Sequence, residues 1–251
     1  MSVQSSEREV HVWDLPTRLF HWSLLALVLI AWFTGEEEGV AAIVHRYAGE
    51  AIAGLIVFRV IWGFVGGEHA RFAHFATGPA AIIAHVRDLF SLRPKRHLGH
   101  NPLGGVAVLL LLSVVTGVVV TGLFSGGEEN AGPFAGLSGL ELSELHELLF
   151  RVLQGLVVIH VLGVIMESAL SKDALLPAMF SGQKRRPADE PCADARQAGA
   201  LALGVALLLG VVTTILLLVQ PPVSSNPASV IEREHHEGPE GGSYEERGND
   251  D

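Results

Sequence analysis

The feature that most constrains this chain is an uninterrupted apolar stretch. From Pro102 to Phe124, 23 residues run without one ionisable side chain. A helix of about 20 apolar residues crosses the hydrocarbon core of a bilayer. Charged residues make up 18% of the chain, against about 25% in soluble domains, and most lie between such stretches. The sequence therefore predicts an integral membrane protein, which excludes a soluble enzyme and a nucleic-acid-binding protein.

Five apolar segments are each long enough to cross a membrane. They are predicted at Leu15–Thr34, Val40–Val65, Pro102–Phe124, Glu144–Leu170 and Ala198–Val219. The pattern indicates an all-α helical bundle, and the Gly-, Pro- and Glu-rich tail at 221–251 is expected to be disordered. Cys192 is the single cysteine, so a disulfide framework, an iron–sulfur ligand set and covalent haem attachment are excluded.

The positive charges predict the orientation. Eleven Lys and Arg residues lie before the first segment and in the loops after the second and fourth, whereas residues 35–39 and 125–143 contain none. Basic loops stay on the cytoplasmic side, so the N-terminus is predicted inside and the C-terminus outside. No cleavable signal pattern precedes the first segment. The outer loops are acidic, with Glu36, Glu37, Glu38, Glu128, Glu129 and Glu141.

Four histidines lie within the apolar segments, where ionisable side chains are rare and usually functional. His146 and His160 are 14 residues apart, which is about 40° short of four turns and about 21 Å along one helix face. The predicted topology puts His45 at the depth of His146 and His21 at the depth of His160. Single membrane histidines often serve packing alone, but two pairs at matched depths predict two bis-histidine haems, one near each surface.

Other cofactors fit these pairs less well. Zinc generally takes four tetrahedral ligands, and each depth offers two histidines and no cysteine. An iron porphyrin supplies four nitrogens itself and needs only axial ligands. A transmembrane proton relay needs a chain of carboxylates, whereas Glu50 alone lies well inside a segment.

Buried cations are the expected partners of the haem propionates. Arg59 follows His45 by 14 residues, which places it on the same helix face near the inner surface. Arg18 and Arg46, each beside a predicted ligand, are assigned the same role, with snorkelling to lipid phosphate as the alternative for all three. Glu50 and Arg151 each follow an outer histidine by five residues, and an ion pair between them is a further expectation.

The remaining histidines before the tail lie outside the segments, where water is expected to solvate them, and are not assigned as ligands. They are His11, His69, His74, His85, His97 and His100. In the tail, His235 and His236 are read as part of a solvated segment.

The motifs resemble those of the bacterial di-haem membrane cytochrome b family, the prokaryotic cytochrome b-561 type. They are VWDLPTRLFHW (12–22), VHRYAGE (44–50), FRVIWGFVG (58–66), GHNPLGG (99–105) and the His146/His160 pair. This family includes the cytochrome b subunits of nickel–iron hydrogenase and formate dehydrogenase. The resemblance covers about residues 10–180 and implies a four-helix core with two b haems, again held by His21, His45, His146 and His160. The fifth segment and the tail depart from it.

The resemblance implies electron transfer in a bacterial inner membrane, between quinone and an outer-face redox protein such as a c-type cytochrome or a hydrogenase-like enzyme. Quinone-site candidates are Arg59, His97, His100 and Asn101. The predicted divisions are the di-haem core (1–180), a linker with the fifth helix (181–220) and the tail (221–251). An electron-transfer subunit is favoured over a stand-alone enzyme. The open alternatives are a self-sufficient superoxide:quinone or ferric-reducing cytochrome b, and a haem-free transporter or structural membrane protein.

Overall fold

The computed structural model describes residues 7–126, 131–135 and 142–220. The predicted tail at 221–251, with His235 and His236, lies outside the described residues, as do Glu128, Glu129 and Glu141. In the described ranges the elements are β1 Glu7–His11, α1 Leu15–Thr34, α2 Val40–Val65, a 3₁₀ turn Glu68–Ala70, α3 Phe72–Phe75, α4 Pro79–Phe90, α5 Pro102–Phe124, α6 Ser143–Ser171, α7 Leu175–Ser181, β2 Gln183–Pro187 and α8 Ala200–Leu218.

The all-α membrane bundle predicted from the sequence is confirmed. Five described helices, α1, α2, α5, α6 and α8, are long and apolar enough to cross a membrane. The first three begin and end at the predicted residues, and α6 is one residue longer at each end than the predicted segment. The sharp boundaries have local causes: Asp14 and Asn101 cap α1 and α5, each accepting a hydrogen bond from a first-turn amide, and proline follows both caps in the first turn.

The second helix is the centre of the bundle. It packs against α1, α5 and α8, while α6 packs against α5. The α2–α8 crossing is close because two glycines meet there. A Cβ atom on Gly54 would lie 2.6 Å from the Gly210 carbonyl oxygen, and one on Gly210 would lie 2.9 Å from the Gly54 oxygen. Glycine-mediated approach of this kind is typical of helix pairs in membranes.

A two-stranded antiparallel ribbon, absent from the sequence prediction, closes one end of the bundle. Its register pairs Glu7 with Pro187 and His11 with Gln183. The ribbon joins the residues before α1 to those after α6, so both segments lie on the same side, as four intervening spans require. We call the end that carries β1, β2 and α4 the inner end, and the opposite end the outer end.

Asp14 fixes the inner end of α1 to that of α2. Its carboxylate accepts hydrogen bonds from the amide of Thr17 at 2.8 Å, the indole of Trp62 at 3.2 Å and the amide of Gly67 at 3.2 Å. This buried carboxylate is therefore satisfied from two helices at once. It holds the first turns of α1, which carry Arg18 and His21, in a fixed position.

Candidate haem-binding site

The outer site is formed where α2 and α6 begin. The imidazoles of His45 and His146 lie with ring centroids 6.2 Å apart and ring planes at 80°. The Nδ1 of His45 is 2.8 Å from the carbonyl oxygen of Ala31 in α1, and the Nδ1 of His146 is 2.9 Å from that of Val118 in α5. Because a carbonyl only accepts, each Nδ1 is the protonated donor. Each Nε2 therefore keeps its lone pair for a metal.

This arrangement fits a haem iron bound between the two rings. A metal bond of about 2 Å through Nε2 would put each ring centre about 3 Å from the metal, so rings on opposite sides of one metal would be about 6 Å apart, close to the observed separation. Glycines keep space around both rings: a Cβ on Gly35 would lie 3.2 Å from the His45 ring, and one on Gly122 would lie 2.9 Å from the His146 ring. The geometry brings the predicted outer pair together, while its role as a ligand pair stays a prediction.

Valine in place of Gly122 should selectively weaken the outer site. Its branched side chain would displace the His146 ring, because even a Cβ atom falls inside contact distance of it. We expect substoichiometric outer haem, measured as haem per chain in purified protein. Gly204→Val is the matched control, since Gly204 in α8 has open space where a Cβ would lie. Full haem content in the Gly122 variant would contradict the assignment.

The inner site is formed by α1 and α6. His160 is close enough to exert an electrostatic effect on the His21 ring. The Nδ1 of His21 is buried and has no hydrogen-bond partner among the described residues. Trp22, next in the chain, stacks on Phe180 at 4.2 Å and donates to the carbonyl of Met179 at 3.3 Å. The predicted inner pair thus lies in one neighbourhood, held by α7, and its ligand role also stays a prediction.

Two of the three predicted arginines, Arg59 and Arg18, lie at the inner end, whereas Arg46 pairs with Glu50 and its propionate role stays a prediction. Arg59 is 3% exposed, donates to the Ala70 carbonyl at 3.1 Å and lies 5.0 Å from the centre of the Phe72 ring. Its burial contradicts the alternative of snorkelling to lipid. Arg18 donates to the Phe180 carbonyl, and its Nε is buried with no hydrogen-bond partner in the described ranges. Such an unsatisfied donor beside the inner site suits an anionic group such as a haem propionate. The propionate role of Arg18 and Arg59 remains a prediction.

The expected ion pair between Glu50 and Arg151 is wrong. Glu50 pairs with Arg46, four residues before it, at 3.2 Å. Arg151 pairs with Glu147 at 3.2 Å, and these two side chains are 73% and 67% exposed. Matching depth fixes height along the membrane but not the direction in which a side chain points. Five residues turn a helix by about 140°, so Arg151 faces away from the bundle, whereas α2 is enclosed by other helices.

Against the sequence expectation of solvation, one inner-end histidine, His85, is buried, and His97 and His100 are only partly exposed. His85 of α4 lies 3.5 Å from Glu167 of α6, and its ring centroid is 5.5 Å from that of His97. The His100 ring lies 4.6 Å from Trp13 and 4.7 Å from Phe75 by centroids. Burial, with the nearby Arg59 charge, lowers the pKa of His100 to about 3. The amphipathic spacing of residues 79–90, with His85 on the apolar face, was the signal available in the sequence.

Comparison with known proteins identifies the family. The profile of the prokaryotic cytochrome b561 family matches residues 12–182. The chain belongs to this family. It is a multi-pass membrane cytochrome b and an electron-transport protein, and the family implies b-type haem. The fifth membrane helix, α8, lies beyond the matched residues.

Curated relatives carry hydrogenase names. The chain is 25% identical over 213 residues to a probable Ni/Fe-hydrogenase B-type cytochrome subunit of Rhizobium leguminosarum bv. viciae, covering 70% of this chain and 89% of the relative. It is 27% identical to the Azotobacter vinelandii protein of that name, covering 72% and 91%. The Escherichia coli K12 hydrogenase 1 counterpart is 21% identical, covering 69% and 90%. No solved structure gives a significant match.

Proposed function

We propose that this chain carries electrons across the membrane through two b haems, one near each surface. It would connect a hydrogenase-like enzyme at the outer face with quinone at the inner end. The observation that carries the proposal is the facing pair of His45 and His146, whose separation and free Nε2 atoms suit a shared iron. The names of the relatives support the hydrogenase-like partner, and the loop charges support the orientation.

In this proposal the chain holds and tunes the electron carriers. His45 and His146 hold the outer haem, and His21 and His160 hold the inner one. Each haem supplies a one-electron iron couple, which a protein tunes through ligands, hydrogen bonds and burial. The carbonyl oxygens of Ala31 and Val118 accept from the outer imidazoles, orient them and raise their basicity. The apolar side chains of α2, α5 and α6 keep water away from the path.

The quinone head group would bind at the inner end, beside His100. The low pKa keeps this imidazole neutral at physiological pH, so it can donate one hydrogen bond to a quinone oxygen. Arg59 lies near enough to influence His100 electrostatically. The Asn101 side chain is engaged as the cap of α5, accepting from the Gly104 amide at 2.6 Å. Asn101 is therefore the least suited of the four predicted quinone residues, and the proposal places the quinone against His100, with Arg59 nearby.

A direct test supplies electrons from two different donors, a quinol and a hydrogenase. Duroquinol, a soluble quinol, should reduce the haems of the purified protein without any protein partner. Hydrogen gas should reduce them only when a nickel–iron hydrogenase is added. Reduction of quinone by superoxide, or of an external ferric chelate, at comparable rates without a hydrogenase would contradict the proposal. That result would favour the self-sufficient oxidoreductase instead.

The acidic outer loop should speed the encounter with a basic partner. Glu36, Glu37 and Glu38 are all exposed between α1 and α2. Replacing all three with glutamine should slow second-order electron transfer from such a partner by about tenfold at low ionic strength. The rate difference should vanish in high salt, because counterions screen the loop. Equal rates for both proteins at low salt would show that this loop does not attract the partner electrostatically.

A further inference from the structure

A cluster of buried ionisable side chains lies on the inner end of α6, below the inner haem-binding residues. The His85 Nε2 and the Glu167 Oε2 are 3.5 Å apart, and these side chains are only 3% and 10% exposed. Glu167 follows His160 by seven residues, which is nearly two turns and about 10 Å further along almost the same face. The cluster therefore borders the end of the bundle where quinone is proposed to react.

His97 extends this cluster towards the inner surface. Its ring centroid is 5.5 Å from that of His85, with the planes at 75°. Among the described residues, neither the His85 Nε2 nor the His97 Nδ1 has a hydrogen-bond partner. Buried imidazole nitrogens are paired with protein or with water in nearly all proteins. His97 is partly exposed, and the adjoining Lys95 and Arg96 are exposed, so water reaches this end of the cluster.

The ion pairs beside the cluster, rather than the cluster itself, hold this part of the chain in place. Asp173 binds Lys184 at 3.0 Å and Arg186 at 2.9 Å. The two cations also donate to the His97 carbonyl at 2.9 and 3.0 Å. These hydrogen bonds and ion pairs fix the loop that carries His97. The His85 Nε2 and the His97 Nδ1 beside it have no hydrogen-bond partner among the described residues, so they are available to exchange a proton, as a proton carrier must be.

The charged groups around the cluster act on His97 with opposite signs: the Glu167 carboxylate favours its protonated form and the Lys184 ammonium disfavours it. Lys184 of β2 acts electrostatically on His97, and Glu167 in turn acts on Lys184. On α4 itself, Arg87 is exposed and Asp88 is partly exposed, while Glu167 is the ionisable group that α6 presents. Burial lowers the pKa of His97.

We propose that His97, His85 and Glu167 form a proton relay that serves the quinone reaction at the inner end. The inference rests on the proposed function. A quinone that becomes a quinol takes up two electrons and two protons; the electrons arrive through the haems from the outer donor, and the protons from the inner aqueous phase. Each imidazole accepts a proton on one nitrogen and releases one from the other, and the Glu167 carboxylate passes it on. Quinol oxidation runs the same steps in reverse.

The test measures quinone turnover of the full-length, haem-loaded protein in proteoliposomes. Glu167→Gln removes the proton carrier and preserves shape. We expect turnover to fall by about tenfold or more near pH 8, with a larger solvent deuterium effect. Haem content and outer-haem reduction should not change. Glu167→Asp should restore part of the rate. Glu147→Gln is the matched control: it is the same substitution on the same helix, at an exposed site.

His85→Gln decides the case if Glu167→Gln impairs folding. It should slow turnover in the same way, and the two substitutions together should cost little more than one, since they interrupt one path. Wild-type rates in both single variants between about pH 6 and 8, with normal haem content, would overturn the relay. Failure of the wild-type protein to exchange electrons with quinone would instead overturn the proposed function, and the relay with it.

Discussion

Alanine at His160 should remove the inner haem and nearly all quinone turnover while leaving the outer haem bound. The reason is geometric: His160 lies with His21 at the inner end, about 21 Å along α6 from His146, so the outer ring pair keeps its contacts. Loss of one axial ligand leaves the iron weakly held, because the remaining histidine binds it alone. Haem per chain, measured as the pyridine haemochrome, should fall by about half.

The corresponding substitution at the outer site and a control variant test the same prediction. His45→Ala should remove the outer haem, keep the inner one reducible by quinol, and abolish reduction by the outer partner. His74→Ala should change nothing, because His74 is exposed outside the membrane helices. Equal loss of both haems in each variant would mean that the histidines do not act as two separate pairs.

Alanine at Asp173 should produce the largest loss of stability at the inner end. Asp173 is 5% exposed and pairs with Lys184 and Arg186, which are 2% and 1% exposed. Removing the carboxylate leaves the buried Lys184 without its ion-pair partner and Arg186 with only the distant Glu190, 4.0 Å from its Nε. Breaking a buried pair in this way costs about 3–5 kcal/mol. We expect a clearly lower Tm in detergent, together with loss of the β1–β2 ribbon, since Lys184 and Arg186 belong to β2.

Acid should act on the wild-type protein through the same residue. Burial alone would raise the pKa of Asp173, but the hydrogen bonds from Arg186 and Lys184 outweigh it and leave the pKa below its ordinary value. A carboxyl with a depressed pKa stabilises the fold above its unfolded pKa of about 4, and that contribution is lost as the pH falls through the folded value.

The Asp173→Ala variant should therefore lose less of its Tm on acidification than the wild type does. Asp189→Ala, at an exposed position in the following segment, is the control and should leave the Tm unchanged. An Asp173 variant as stable as this control would show that the ion cluster contributes little.

Much of the bundle was predictable because the residues of each membrane helix themselves indicate where it lies in the sequence. The uncharged run of α5 and the proline that follows the caps of α1 and α5 set the boundaries of these helices within the sequence itself. The pairing of His45 with His146 was predictable for the same reason, since the topology and the helical repeat fix depth and face together.

Other features depend on contacts between distant segments. The β1–β2 ribbon joins residues about 180 positions apart, as Glu7 and Pro187 show, and its charged strands carry no apolar pattern. The burial of His85 depends on α4 meeting α6 at Glu167. Glu50 faces Arg46 rather than Arg151 because α2 is surrounded by helices. None of these contacts is encoded in the residues of one segment alone.

The haem count of the wild-type protein tests the central claim most directly. It combines a reduced-minus-oxidised spectrum with a pyridine haemochrome assay on protein purified after expression with ample haem. We predict two b-type haems per chain, bound by histidine pairs at opposite ends of the bundle. One haem per chain, or a colourless protein, would contradict the two-site relay and return the four membrane histidines to packing roles.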